Sequence, residues 1–174
     1  MTTMHRGSCL CGETDFEVHG PLRSSIACHC TQCRKQTGHY LSATSTATGE
    51  IKLVRVAHVR WCRAANTAQR AFCAKCGSTL FWQADAQPER ISVATGLFDG
   101  PTGLVTEGHI FCADKGDYYV IPDEGYQRRR QDQPPGRPQA NPPHHGPPPH
   151  PPHGRNRPAD DPARTPPQRP PPTP

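Results

Sequence analysis

The sequence predicts a small, mostly β fold that carries metal and is followed by a disordered proline-rich tail. Three observations predict it. Short β-branched or aromatic runs recur through the first 127 residues, broken by glycine and proline. Seven of the nine cysteines fall into three clusters with ligand spacing: Cys9 and Cys11; Cys28, Cys30 and Cys33; Cys73 and Cys76. The composition changes abruptly after Gln127.

The elements follow in order. Glu13 to His19 alternates, with Phe16 and Val18 on one face. Tyr40 to Thr48 is rich in Thr, Ser and Ala and lacks helical periodicity. Ile51–Val54, His58–Trp61, Thr79–Trp82, Arg90–Ala94 and His109–Cys112 read as further strands. The one helical piece expected is about one turn, Cys33 to Gln36, ending at Gly38.

Residues 1–127 form one expected domain, with every aromatic residue and every cysteine of the chain. Residues 128–174 hold 18 of the 22 prolines and no apolar side chain larger than alanine, so that segment cannot offset the entropy of ordering. It is either a lineage-specific extension or the product of a shifted reading frame. The domain is neutral, and the tail's eight arginines against three aspartates carry the whole net charge of +5. Bulk charge therefore speaks against nucleic-acid binding by the domain, while the tail can attract polyanions weakly. No apolar run approaches the ~18 residues of a membrane span. An odd number of cysteines at ligand spacings, with no signal-peptide pattern, points to a reducing cytoplasm rather than a secreted disulfide scaffold.

The clusters divide by ligand number. Cys9 and Cys11 are two apart, a spacing that shares one face on an extended strand, with Gly12 allowing a turn. Cys73 and Cys76, followed by Gly77, have zinc-knuckle spacing. Together the four can close one structural zinc site; a redox pair or unligated buried thiols are the alternatives. Cys28, Cys30 and Cys33 supply three thiolates and leave a coordination position open, as catalytic zinc sites do. A fourth ligand from Cys62, Cys112 or His29 would instead make a second closed site. Arg34 and Lys35 follow the trio and can offset its negative charge or meet a substrate carboxylate. Cys62 and Cys112 stand alone in apolar runs and read as inert small hydrophobes. His29 and His39 flank the trio as surface or supporting residues, and His109 opens a strand near a pocket.

The segments Gly7–Gly12, Cys28–Lys35, Arg70–Ser78, His109–Phe111 and Asp114–Tyr119 resemble, in order, the glutathione-dependent formaldehyde-activating family, which also contains centromere protein V. The resemblance implies an Mss4-like β fold. It implies a structural zinc on Cys9, Cys11, Cys73 and Cys76, and a catalytic zinc on Cys28, Cys30 and Cys33, two zinc ions per chain. It implies a carbon–sulfur lyase that joins a thiol such as glutathione to an aldehyde, formaldehyde in the family's name-giving reaction. Two other readings stay open: a non-catalytic zinc module that binds protein or nucleic acid, and a thiol-redox or metal-handling protein.

Overall fold

The computed structural model describes residues 4–130. In chain order the elements are β1 (His5–Ser8), β2 (Asp15–Val18), β3 (Ser25–Cys28), helix α1 (Thr31–Thr37), β4 (Leu41–Ala47) and β5 (Ile51–Arg55). There follow β6 (Val59–Ala65), β7 (Ala68–Cys73), β8 (Thr79–Ala84), β9 (Arg90–Ala94), β10 (Thr106–Ile110) and β11 (Tyr126–Gln127). β1, β2 and β5 make a small antiparallel sheet with β2 in the middle. The other eight strands make a mixed sheet in the order β11-β10-β3-β4-β9-β8-β7-β6. Among the described residues only the β10 pairings with β3 and β11 are parallel.

Strand alternation gives the large sheet two different faces. One face packs against the small sheet. Phe16 and Val18 of β2 meet Ala71, Phe81, Ile91 and Val93 there, all buried. Phe16 and Phe81 stand edge to face, with ring centroids 5.3 Å apart. Gly7 is required at this seam, because a Cβ there would lie 2.5 Å from the Phe16 ring. The residues between these, among them Ser45, Arg70, Trp82 and Ser92, face the other way and line a cavity.

The expected strands form, and the helix is longer than one turn. It ends as expected at Gly38, which takes φ +79 and donates its N–H to the Arg34 carbonyl. Four strands were not expected. β1 (His-Arg-Gly-Ser), β3 (Ser-Ile-Ala-Cys) and β7 (Ala-Gln-Arg-Ala-Phe-Cys) are too polar or small to signal a strand alone, and β11 is two residues long. The predicted run His109–Cys112 is corrected at its end. β10 stops at Ile110, Phe111 takes the left-handed region at φ 57, and Cys112 opens a 3-10 turn. Cys62 is corrected too. It lies exposed on edge strand β6, while Cys112 is half-buried.

The tail was expected to be disordered, and beyond Arg130 that expectation lies outside the described residues. Just past Gln127, the Arg128 N–H donates to the His109 carbonyl at 2.8 Å and its carbonyl accepts from the Cys112 N–H at 3.0 Å. Among the described residues no helix is long and apolar enough to cross a membrane.

Candidate metal centres and their cavity

Cys9 and Cys11 occupy a turn after β1, not the extended strand expected for them. Gly12, at φ +72, closes this turn by donating its N–H to the Cys9 carbonyl at 2.9 Å. Cys73 ends β7, and the turn that follows carries Cys76 and closes at Gly77, φ +78, whose N–H donates to the Cys73 carbonyl at 2.8 Å. The four sulfurs gather within 4.8 Å of one another. Cys9 Sγ is 3.5 Å from Cys11 Sγ, which is 3.9 Å from Cys73 Sγ. Such separations are far beyond a disulfide bond. They match the edge of a tetrahedron with metal–sulfur bonds of about 2.3 Å, which is about 3.8 Å. Backbone and hydroxyl donors support anionic sulfur: the Thr14 N–H reaches Cys9 Sγ at 3.3 Å, and Ser78 Oγ lies 3.2 Å from Cys76 Sγ. The Ser78 hydrogen bonds draw the Cys76 thiol down to about 5. The donor set fits a thiophilic metal such as zinc.

Cys28, Cys30 and Cys33 form the second cluster, again within 4.8 Å. Cys28 ends β3, Cys30 caps α1, and Cys33 lies buried on the first turn of that helix. The Cys33 N–H donates to Cys30 Sγ at 3.4 Å. Hydrogen bonds from Cys28, then Cys33, pull the Cys30 thiol strongly down, and the same proximity pushes Cys28 up. The trio therefore surrenders its protons in steps that belong to the group rather than to single residues. Among the described residues no fourth Cys, His, Asp or Glu joins it.

His29, between two of these cysteines, turns the other way. It is fully buried, with Nδ1 2.8 Å from the Tyr119 hydroxyl and Nε2 2.9 Å from His109 Nδ1. Burial, followed by the charges of His109, His39 and Lys115, lowers the His29 pKa to about 4; burial lowers that of His109 as well. Both rings are neutral at physiological pH. His39 and Tyr40 pack on the same network, with the His39 and Tyr119 ring centroids 4.1 Å apart.

The three-cysteine cluster opens into a cavity of about 790 Å³. Three arginines, Arg23, Arg70 and Arg90, line it, with Asp114 as the acidic residue on its wall. Arg70 is 7% exposed, and its Nε and Nη1 have no hydrogen-bond partner. The Cys28 hydrogen bond and, last, the Arg70 charge draw the Cys33 thiol down, but the Cys30 hydrogen bond, burial and the Cys30 charge outweigh them and push it up to about 11. Arg34 is half-buried on α1, near enough for its charge to act on Tyr119, and Lys35 is exposed. Neither lines the cavity. The three lining arginines were not singled out from the sequence. No local signal marked Arg70, because its strand, β7, is itself not legible in the sequence.

These features define a small β protein with one four-cysteine and one three-cysteine cluster, each able to hold a metal ion. The chain belongs to the glutathione-dependent formaldehyde-activating enzyme family, whose model matches residues 4–114. Among solved structures, the crystal structure of a Rhodobacter sphaeroides protein is similar. It is 26% identical, with a TM-score of 0.50, over 60% of this chain and 98% of that one. No curated protein matches the chain.

Proposed function

We propose that the protein is a zinc-dependent carbon–sulfur lyase, adding a small thiol, glutathione by family, to an aldehyde such as formaldehyde. The observation that carries this reading is the asymmetry of the two clusters. Four thiolates gather at the turns on the core side of the fold, whereas three face a cavity beside an unpartnered guanidinium. Cys9, Cys11, Cys73 and Cys76 would hold a structural zinc, and Cys28, Cys30 and Cys33 a second. Zinc bound by the trio would supply a lowered pKa for the incoming thiol.

The chain's own groups account for the rest. Three thiolates and a divalent ion are formally −1, so a fourth thiolate needs a nearby cation. Arg70 fills that role in this reading, ahead of Arg34 and Lys35, because it is buried and lines the same cavity as the three cysteines. In the addition, sulfur bonds to the carbonyl carbon and the C=O π bond opens onto oxygen. The proton lost by the thiol ends on that oxygen, so no oxidant or reductant is consumed. In this reading the free N–H groups of Arg70 would stabilise the charge that develops on oxygen. Holding both reactants in one cavity contributes through proximity.

The test joins metal analysis with turnover on one preparation. Two zinc ions per chain are expected, together with S-hydroxymethylglutathione formation from glutathione and formaldehyde above the uncatalysed rate. Zinc-replete protein without that acceleration, for formaldehyde or other small aldehydes, would return the assignment to a non-catalytic zinc module.

A further inference from the structure

The corner where the chain passes from the small sheet to the large one is uncovered. β5 is the last strand of the small sheet and β6 the last strand of the large one, and residues 56–58 link them. Neither strand has an outer neighbour among the described residues. Their first residues, Ile51 and Val59, pack against the core. Beyond them the apolar seam runs out to solvent. Leu53 is the register partner of Phe16 and shares its face. Trp61 is the register partner of Ala71 and stacks on Phe81, with ring centroids 6.3 Å apart. Yet Leu53 is 38% exposed and Trp61 40%. An unpaired strand edge beside exposed apolar side chains is a template for another strand.

The strands at this corner carry charge of one sign. From Ile51 to Ala84 the chain has six Lys and Arg residues and no Asp or Glu. Two of the cations on β5 and β6 are answered from other strands or loops: Arg55 by Asp15, and Arg63 by Asp85. Lys52 and Arg60 enter no ion pair among the described residues. Arg60 Nη1 donates to the Ala57 and Val59 carbonyls, at 3.0 and 2.9 Å, which holds its unanswered charge beside the edge.

We propose that the outer edge of β6 is a docking site for an extended, acidic segment of a partner protein, which adds to the large sheet as a further strand. Side chains alternate along a strand, so apolar residues of the segment cover Val59 and Trp61 while its carboxylates meet Arg60 on the other face. In such additions backbone hydrogen bonds give affinity, and alternate side chains give selectivity. The charge disfavours a second copy of this chain, which would set arginines against arginines with no acid on β5 or β6 to meet them. An anionic lipid surface meets the cations but offers no backbone to the unpaired edge. The surface is separate from the three-cysteine cavity, which neither Arg60 nor Trp61 lines.

Fluorescence polarisation on zinc-loaded, full-length protein tests this with three labelled, capped octapeptides. One alternates Glu and Val, and one alternates Lys and Val. The third is the Glu-Val peptide methylated on alternate backbone nitrogens, which keeps the charge but cannot pair as a strand. It also cancels any attraction to the arginines that follow Gln127. The plain Glu-Val peptide should bind about 10-fold more tightly than either of the others, the worth of one or two hydrogen bonds. Amide shifts on its addition should fall on Val59–Arg63. Arg60→Glu should weaken the Glu-Val peptide by about 10-fold and tighten the Lys-Val peptide, a gain that loss of folding cannot produce. Equal binding of plain and methylated Glu-Val peptides, or shifts that fall outside β6, would overturn the proposal. So would a dimer in sedimentation, or binding to phosphatidylserine vesicles or oligo-dT, that Arg60→Glu abolishes, because the face would then serve a second copy, a lipid surface or a nucleic acid.

Discussion

His29 Nε2 lies 2.9 Å from His109 Nδ1, and this contact decides what His29 does. With its other ring nitrogen at the Tyr119 hydroxyl, the imidazole has no lone pair left for a metal, although it sits between Cys28 and Cys30 in sequence. Replacing His29 with Leu leaves the half-buried Tyr119 hydroxyl without this partner and strands a buried His109 nitrogen, the latter at about 1–3 kcal/mol. We expect a clear fall in melting temperature with two zinc ions still bound. Loss of one zinc on this substitution would make His29 a ligand.

The four-cysteine cluster ties the turn after β1 to the turn between β7 and β8, across more than sixty residues of chain. Metal binding at a site absent from the unfolded state is folding free energy. Cys76→Ser should therefore lower the melting temperature far more than Cys30→Ser, and Cys30→Ser should abolish turnover. A graded chelator should remove the metal of the three-cysteine site first. Equal melting losses in the two variants would mean that both sites are structural.

Arg70 is a buried cation without a hydrogen-bond partner at Nε or Nη1, which is an expense to the fold unless a ligand uses it. Arg70→Met should leave zinc content intact and the melting temperature equal or higher. Turnover should fall by about 10²-fold, the usual loss of one donor to a developing oxyanion. A lower melting temperature with unchanged turnover would make Arg70 a structural residue.

The small sheet should show a distinct acid response. The hydrogen bond from Arg55, at 2.9 Å across β2 and β5, holds the Asp15 carboxyl below its usual value of 3.8. The folded pKa is the lower one, so near pH 3–4 the unfolded chain binds more protons than the folded chain. The stabilisation is present in full above the unfolded value and is lost as pH falls through the folded one. Acid also protonates the clustered cysteines, so the comparison is with Arg55→Gln. The melting difference between wild type and this variant should be constant from pH 7 to 5 and shrink towards pH 3. A difference that persists at pH 3 would show that Arg55 acts through packing instead of charge.

The grouping of the cysteines into clusters able to hold a metal was legible in the sequence because within each segment it is local. Two cysteines two or three residues apart, followed by Gly12 or Gly77, need only a tight turn to present both sulfurs. β2 and β9 were legible for a similar reason: Phe16 with Val18, and Ile91 with Val93, alternate within five residues. What the tertiary structure decided is everything that depends on which strand lies beside which. β7 carries Ala, Gln and Arg and has no strand signal of its own, yet it pairs on both sides and brings Arg70 opposite Trp82. The convergence of Arg23 and Arg90 on Ser45 joins residues 22 and 45 positions apart, and no short-range pattern encodes it. Exposure is likewise non-local. His29 is buried because β3 runs beside β10, and Cys62 is exposed because β6 has no outer neighbour among the described residues. Side-chain chemistry and spacing set which residues can bind a metal; strand order set which charges face the cavity.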